Sequence, residues 1–308
     1  MSVSSAQQLL CRFAAGAFLA ASCAIGHAQA AEAFCPNGSD PDPNVIWCDS
    51  FEQDDYGPKG TIGEKYFEFN TAGGDFGITT KEAALGKQAL FARWSKGQVN
   101  AGHFWLNFGR NPLRSQLHTQ RDFREIYWRF YVKLQDGFVG FPDKLTRITS
   151  FANSNWAQSM IAHIWHDYTE RAYLNIDPAS GIGSNGLLKT TKYNDFANLS
   201  WLGARQASTA MRPGQWYCVE GHVKLNTPSA ANGIFEVWMD NKLEARRADL
   251  NFVHTWTNYG LNGLSFENYW NAGALAEQER YLDALVVSTN RIGCLGSAPK
   301  PPVLLDVQ

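Results

Sequence analysis

The sequence predicts an all-β protein, an antiparallel two-sheet β-sandwich of jelly-roll type. Segments such as EIYWRFYVKL (125–134) place an apolar residue at every second position, the period of a strand with one buried face. No long stretch keeps the 3.6-residue apolar period of a helix. Turn signals, among them Gly73-Gly74, Asp136-Gly137, Asn232-Gly233 and Asp240-Asn241, recur between the alternating segments. A dozen strands so spaced suit two packed antiparallel sheets.

Taken in order, the chain begins with Arg12, the apolar run FAAGAFLAASCAI and Ala28-Gln29-Ala30, an A-x-A cleavage signal. Residues 1–30 are therefore expected to be a signal peptide cleaved near Ala30, which makes the protein secreted or periplasmic. Residues 31–44 (AEAFCPNGSDPDPN) follow as an irregular lead-in, residues 45–296 as one β-domain, and 297–308 as a Pro-rich tail. Strands are expected at VIWCDSFE (45–52), KYFEFN (65–70), QALFARWS (88–95), HFWLNFGR (103–110) and EIYWRFYVKL. They continue through TRITSFAN (146–153), MIAHIWHDY (160–168), AYLNID (172–177), WYCVEGHVKLN (216–226), GIFEVWMDN (233–241), LNGLSFENYW (261–270) and RYLDALVVS (280–288). Short helical turns are expected near NPLRSQLHTQRDF (111–123) and AGALAEQER (272–280).

Cleavage would leave four cysteines, Cys35, Cys48, Cys218 and Cys294, in an oxidising compartment, where disulfides are the default. Of the three possible pairings, Cys35 with Cys48 and Cys218 with Cys294 is favoured, a local staple and a long-range tie. Loop closure would then stabilise by about 3 and about 4 kcal/mol respectively. Charge is nearly balanced, 27 basic against 29 acidic residues before cleavage, which recommends no nucleic-acid partner. No later segment approaches the apolar length of a membrane span. The mature chain is expected to be a monomer.

The alternate faces of these strands are unusually rich in chemistry. Parity sends Trp128, Phe130, Val132 and Leu134 inward and leaves Tyr127, Arg129, Tyr131 and Lys133 on the other side. Other strands present His103, Trp105 and Asn107; His163 and Trp165; Asn175; Glu220 and His222; Glu236 and Trp238; and Glu267 and Tyr269. Rings that stack on pyranose faces, mixed with cations and amides that bind hydroxyls and carboxylates, suit a polysaccharide, and an anionic one in particular.

The runs QWYCVEGHVKLN, NGIFEVWMDNKLEAR, FENYWN and YLDALVVSTNRIG, preceded by YWRFYVKL, resemble bacterial secreted proteins of the concanavalin A-like lectin/glucanase superfamily, and within it the polysaccharide-lyase-like jelly rolls. The resemblance covers roughly residues 45–293. It implies cleavage of a uronic-acid-containing glycan by β-elimination. It also implies a strand Arg, then a His in a short motif, then a Tyr near the C-terminus, here Arg129, His163 in MIAHIW and Tyr269 in SFENYWN. Ile161 departs from the pattern, standing where an amide is expected two residues before the His; Asn155 or Gln158, or Asn153, could supply one.

Such a site needs cations or amides around the uronate carboxylate, a base for the adjacent proton and an acid for the leaving oxygen. His163 is the expected base or neutraliser, Tyr269 the acid or both acid and base, and Arg129 the neutralising cation. Lys144, Arg147, Asn155, Gln158, Trp165, Tyr131, Asn175, His103 and His222 are the expected substrate contacts. No metal is required, although oxygen ligands from Asp49, Glu52 and Asp283 could hold a structural calcium if the first and last strands pair. Two other functions fit the same rings: a non-catalytic lectin or laminin-G-like module, and a glycoside hydrolase using paired carboxylates such as Glu220 with Glu236 or Glu267.

Overall fold

Alternation decides which side of each strand is buried. In β6 (Glu125–Leu134), Trp128, Phe130, Val132 and Leu134 point between two sheets and are shut off from solvent. From the opposite sheet, Leu264 and Phe266 of β15 (Gly263–Tyr269) meet them, with Phe130 and Phe266 edge to face at 4.8 Å between ring centroids. One continuous apolar cluster fills the space between the sheets. This is a computed structural model, and it describes residue 35 and residues 42–52, 65–115, 117–166 and 172–295. The expected signal peptide (1–30), the lead-in apart from Cys35 and residues 42–44, and the tail (297–308) lie outside the described residues.

The first sheet runs β14 (Lys242–Leu250), β13 (Gly233–Met239), β12 (Trp216–Lys224), β6, β16 (Gln278–Ser288), β4 (Ala89–Trp94) and β3 (Phe76–Thr79). β1 (Val45–Asp49) also pairs with β16. The second sheet runs β10 (Ser200–Trp201), β9 (Ala172–Ser180), β8 (Gln158–His166), β7 (Lys144–Phe151), β15, β5 (Asn100–Asn107) and β2 (Glu68–Asn70), with β11 (Arg205–Met211) also on β9. Every named pair is antiparallel. The fold is the two-sheet jelly roll expected.

A break in β16 lets it serve two neighbours on one edge. Residues Gln278–Leu282 pair with β4 and Leu285–Ser288 with β1, and between them Ala284 turns to φ 50°. At the β13–β14 hairpin Asp240 and Asn241 both take positive φ, 51° and 65°, the turn chemistry that this pair suits. Gly221 on β12 is required by its neighbour: a Cβ there would lie 2.3 Å from the Trp128 indole.

Four strands escape the sequence reading: β3, β10, β11 and β14. KLEARRADL of β14 is polar on both sides because it is an edge strand, and ARQASTAM around β11 lacks large apolar residues for the same reason. The helical turns expected at 111–123 and 272–280 are not formed among the described residues; the first stretch is irregular, and the second enters β16 at Gln278. Both disulfides pair as favoured, Cys35–Cys48 and Cys218–Cys294. Among the described residues no helix is long and apolar enough to cross a membrane.

Candidate active-site cleft

A cleft of about 840 Å³ opens on the outer face of the second sheet. Its floor comes from alternate residues of three strands: His103 and Trp105 of β5, Glu267 and Tyr269 of β15, and Lys144 of β7. Two loops raise its walls. Between β7 and β8, Trp156 adopts φ 64°, an uncommon conformation for an aromatic residue. Asn153 stabilises that turn, its Oδ1 accepting the N–H of Asn155 at 2.9 Å and of Ala157 at 3.3 Å. Trp156 then packs edge to face on Trp105 and Tyr193, with centroids 6.4 and 5.9 Å away.

The second wall is the segment 181–199, which joins β9 to its antiparallel partner β10 and folds back over the sheet. Gln158 anchors it: its Oε1 accepts the Asn194 N–H at 3.0 Å, its Nε2 donates to Thr149 Oγ1 at 3.1 Å, and the Thr190 hydroxyl donates to its carbonyl at 2.7 Å. Gln158 is buried, so it orients the wall and does not face the cleft as the sequence reading expected.

A cation and a carboxylate organise the floor. Arg147, fully buried, donates to Glu267 Oε1 at 2.5 Å, to Asn194 Oδ1 at 2.6 Å and to the Tyr193 hydroxyl, and lies 5.1 Å from the centroid of the Trp105 ring. Tyr193 donates in turn to Glu267 at 2.9 Å. Burial pushes the Glu267 carboxyl up, but Arg147, Lys144 and the Tyr193 hydroxyl outweigh it and hold the group below its ordinary value. Burial raises the Tyr193 hydroxyl, so this phenol stays protonated. His103 contacts Glu68 Oε1 through Nε2 at 3.0 Å, and that hydrogen bond lowers the Glu68 carboxyl.

Lys144 differs from these groups. Its Nζ makes no hydrogen bond among the described residues and lies over three rings, Trp165 at 4.7 Å, Phe196 at 5.3 Å and Tyr269 at 6.0 Å. Burial, reinforced by Arg147, lowers its pKa against the opposing pull of Glu267. Beneath the floor, Arg280 reaches across from the first sheet and is sealed from solvent. It donates to the carbonyls of Lys144 (3.0 Å) and Glu267 (2.9 Å) and to Asn268 Oδ1 (2.7 Å), tying together the strands that carry the lysine and the glutamate.

The remaining expected site residues divide by sheet. His163 and Trp165 are on β8 and Asn175 on β9, all on the cleft side of the second sheet; Asn155 lines the cleft and Tyr269, 40% exposed, stands at its rim. His163, however, is roofed by Trp165 and Trp201 with centroids 4.0 and 5.9 Å away. Its Nδ1 bonds the Asp177 carbonyl at 3.1 Å, its Nε2 has no partner among the described residues, and burial followed by the charges of Arg147 and Lys144 pushes its pKa far down. It is a neutral imidazole under the floor.

Arg129, Tyr131 and His222 are corrections to the expected convergence, because they sit on the outer face of the first sheet. The parity of β6 sends Trp128 and Phe130 into the core and Arg129 away from both core and cleft, opposite Glu220 and over the Tyr131 ring at 5.3 Å. His222 is held between Glu236 (2.7 Å) and Glu125 (2.9 Å). Glu220 and Glu236 share that face, which separates them from Glu267.

The acids considered for calcium hold loops. Asp49 accepts from the Phe51 N–H and the Tyr66 hydroxyl, Glu52 from the N–H groups of Lys87 and Gln88, and Asp283 from those of Ala84 and Leu85. No group of three or more metal-ligating side chains occurs among the described residues.

Several cleft residues were missed in the sequence: Glu68, Lys192, Tyr193, Asn194, Phe196 and Asn271. Most belong to the segment 181–199, which carries no alternation to read. Its length was a usable signal, since a 19-residue connection between paired strands exceeds ordinary turns and such loops commonly build sites.

No sequence-family profile matches the chain, and no curated protein sequence is similar to it. Solved structures are. The endo-β-1,4-glucuronan lyase of the fungus Trichoderma reesei is 13% identical, with 73% of this chain and 91% of that one covered and a TM-score of 0.50. The marine PL-14 alginate lyase of Aplysia kurodai is likewise 13% identical, covering 75% and 94%, with a TM-score of 0.52. At such identities the likeness concerns the fold, and the chain adopts the jelly roll seen in these polysaccharide lyases.

Proposed function

We propose that the protein is a secreted, monomeric bacterial polysaccharide lyase of the concanavalin A-like superfamily that cleaves a uronic-acid-containing glycan by β-elimination in this cleft. The observation that carries the reading is Lys144, a nearly buried amine with a lowered pKa and no hydrogen-bond partner among the described residues, facing a cleft wide enough for sugar rings. Burial eases the loss of its proton, and the free amine so placed is a competent general base.

In this scheme Lys144 removes the proton beside the uronate carboxylate, the bond to the 4-linked oxygen breaks, and a carbon–carbon double bond forms. Tyr269 gives its hydroxyl proton to the departing oxygen. Lys192, His103 and the amides of Asn100, Asn155 and Asn271 face the same space and offset the charge that develops on the carboxylate. Arg147 is committed to Glu267, Asn194 and Tyr193 and shapes the floor. His163 supports Trp165 from below, and no cofactor takes part.

The electrostatics disfavour hydrolysis. Among the described residues Glu68 and Glu267 are the carboxylates that line the cleft, and both are held below their ordinary values, whereas a hydrolase needs one kept protonated as its acid. A lectin-like module would bind through the same rings without turnover.

The test is to incubate the protein with alginate, glucuronan, pectate and glycosaminoglycans and follow ultraviolet absorbance from new unsaturated ends. Growth of absorbance that is lost in Lys144→Met while polymer binding persists supports the assignment. Binding without absorbance for any polymer would favour the lectin-like alternative.

A further inference from the structure

Two aromatic pairs, each with an exposed ring, continue the cleft at opposite ends. At one end Phe196 (39% exposed) and Trp201 (44%) lie 5.9 Å apart with planes 24° from parallel, and Phe196 also lines the cleft. At the other, Phe67 (38% exposed) lies 5.5 Å from Trp156, a cleft wall. Trp201 belongs to β10 and Phe67 directly precedes β2, the two end strands in the order β10-β9-β8-β7-β15-β5-β2. Six strand spacings of about 4.8 Å separate them, roughly 29 Å along the sheet.

The elimination chemistry uses none of Phe67, Phe196 and Trp201. Rings needed only for the core would be covered, as Trp128 is at 0% exposure. Isolated exposed apolar residues are ordinary on any surface. These differ because each touches a ring that lines the cleft, and because together they bracket it. The C–H faces of a pyranose are apolar and slightly positive, so they stack on an aromatic face while the ring hydroxyls stay wet.

We infer that Phe196 with Trp201 and Phe67 with Trp156 are sugar-stacking platforms at the two ends of one path across the sheet. An interior stretch of the polymer lies along that path and is cut internally. The inference rests on the lyase reading and adds the length of chain gripped and the endo mode of action.

The experiment compares the parent with Trp201→Ala and Phe67→Ala on whichever polymer is cleaved and on its short oligomers. Leu243→Ala, an exposed apolar site on the first sheet, serves as control. Loss of one stacking platform should lower the ratio of polymer to short-oligomer kcat/KM by about tenfold. The control should leave it unchanged. Solution viscosity should drop early in the parent reaction, ahead of the release of small products.

An active parent whose two ring variants keep the parental ratio overturns the platforms and leaves the lyase reading intact. An active parent that releases only small products from chain ends overturns the endo assignment. Where the parent binds polymer without cleaving it, lyase action fails, and about tenfold weaker polymer binding by each variant would still support the platforms. A parent that neither binds nor cleaves any of these polymers overturns both.

Discussion

On the outer face of the first sheet, Arg129, Tyr131 and His222 stand on neighbouring strands, much as Lys144, Arg147, His163 and Tyr269 do on the second. The first face is closed by its own chain. Ile292 and Gly293 donate to Glu220, the Leu295 N–H donates to the Tyr131 hydroxyl, and Cys294 is bonded to Cys218. His222 stacks on Tyr127 at 4.0 Å, with its two nitrogens on carboxylates. The second face is held open by its loops and keeps one amine that, among the described residues, lies over rings and makes no hydrogen bond. Similar side chains thus become structure where the segment 289–295 covers them, and a candidate site where a loop arches over them.

The comparison breaks most sharply at Lys144. Replacement by Met should lower the elimination rate by about 10²–10⁴-fold, the usual worth of a general base, and leave the melting temperature near that of the parent, since no hydrogen bond is lost. Retained activity in this variant would remove the chemical distinction between the two faces. On the closed face, replacing Cys218 and Cys294 together by Ser should cost about 4 kcal/mol in denaturant unfolding, while the folded protein goes on cleaving.

Tyr269→Phe should reduce kcat by about 10²-fold with KM little altered, as expected for an acid at the rim. His222→Ala is expected to lose about 1–3 kcal/mol of stability and no activity. Lost activity there would mean that the two faces are coupled through the core.

Asp283 provides the smallest effect and a sign. Burial raises its carboxyl from 3.8 to about 8, so between those values the folded protein holds a proton that the unfolded chain has released. Stability therefore falls as pH rises through that window, by about 1 kcal/mol between pH 7 and 8. Asp283→Asn should flatten the dependence in thermal melts at several pH values.

Much of the fold was legible. EIYWRFYVKL is β6 residue for residue, and the strands that form both inner faces were recognised because burial on one side enforces a period of two. Edge strands β11 and β14 were not, because they bury little. The site was legible in part. Lys144, Asn155, His103 and Tyr269 reach the cleft as expected, but Arg129 does not, and the order Arg, His, Tyr in the chain carried no information about which sheet each strand would join.

Parity alone determined that Arg129, Tyr131, His163 and Tyr269 would leave the core, since successive side chains on a strand point to opposite faces. Cysteine number and spacing also reached the right disulfides. The assignment of each decorated strand to a sheet was decided by pairings between residues far apart in sequence, such as β15 between β7 and β5. Which decorated face stays open depends on where the segments 181–199 and 289–295 lie, and neither carries a hydrophobic period from which its position could be read.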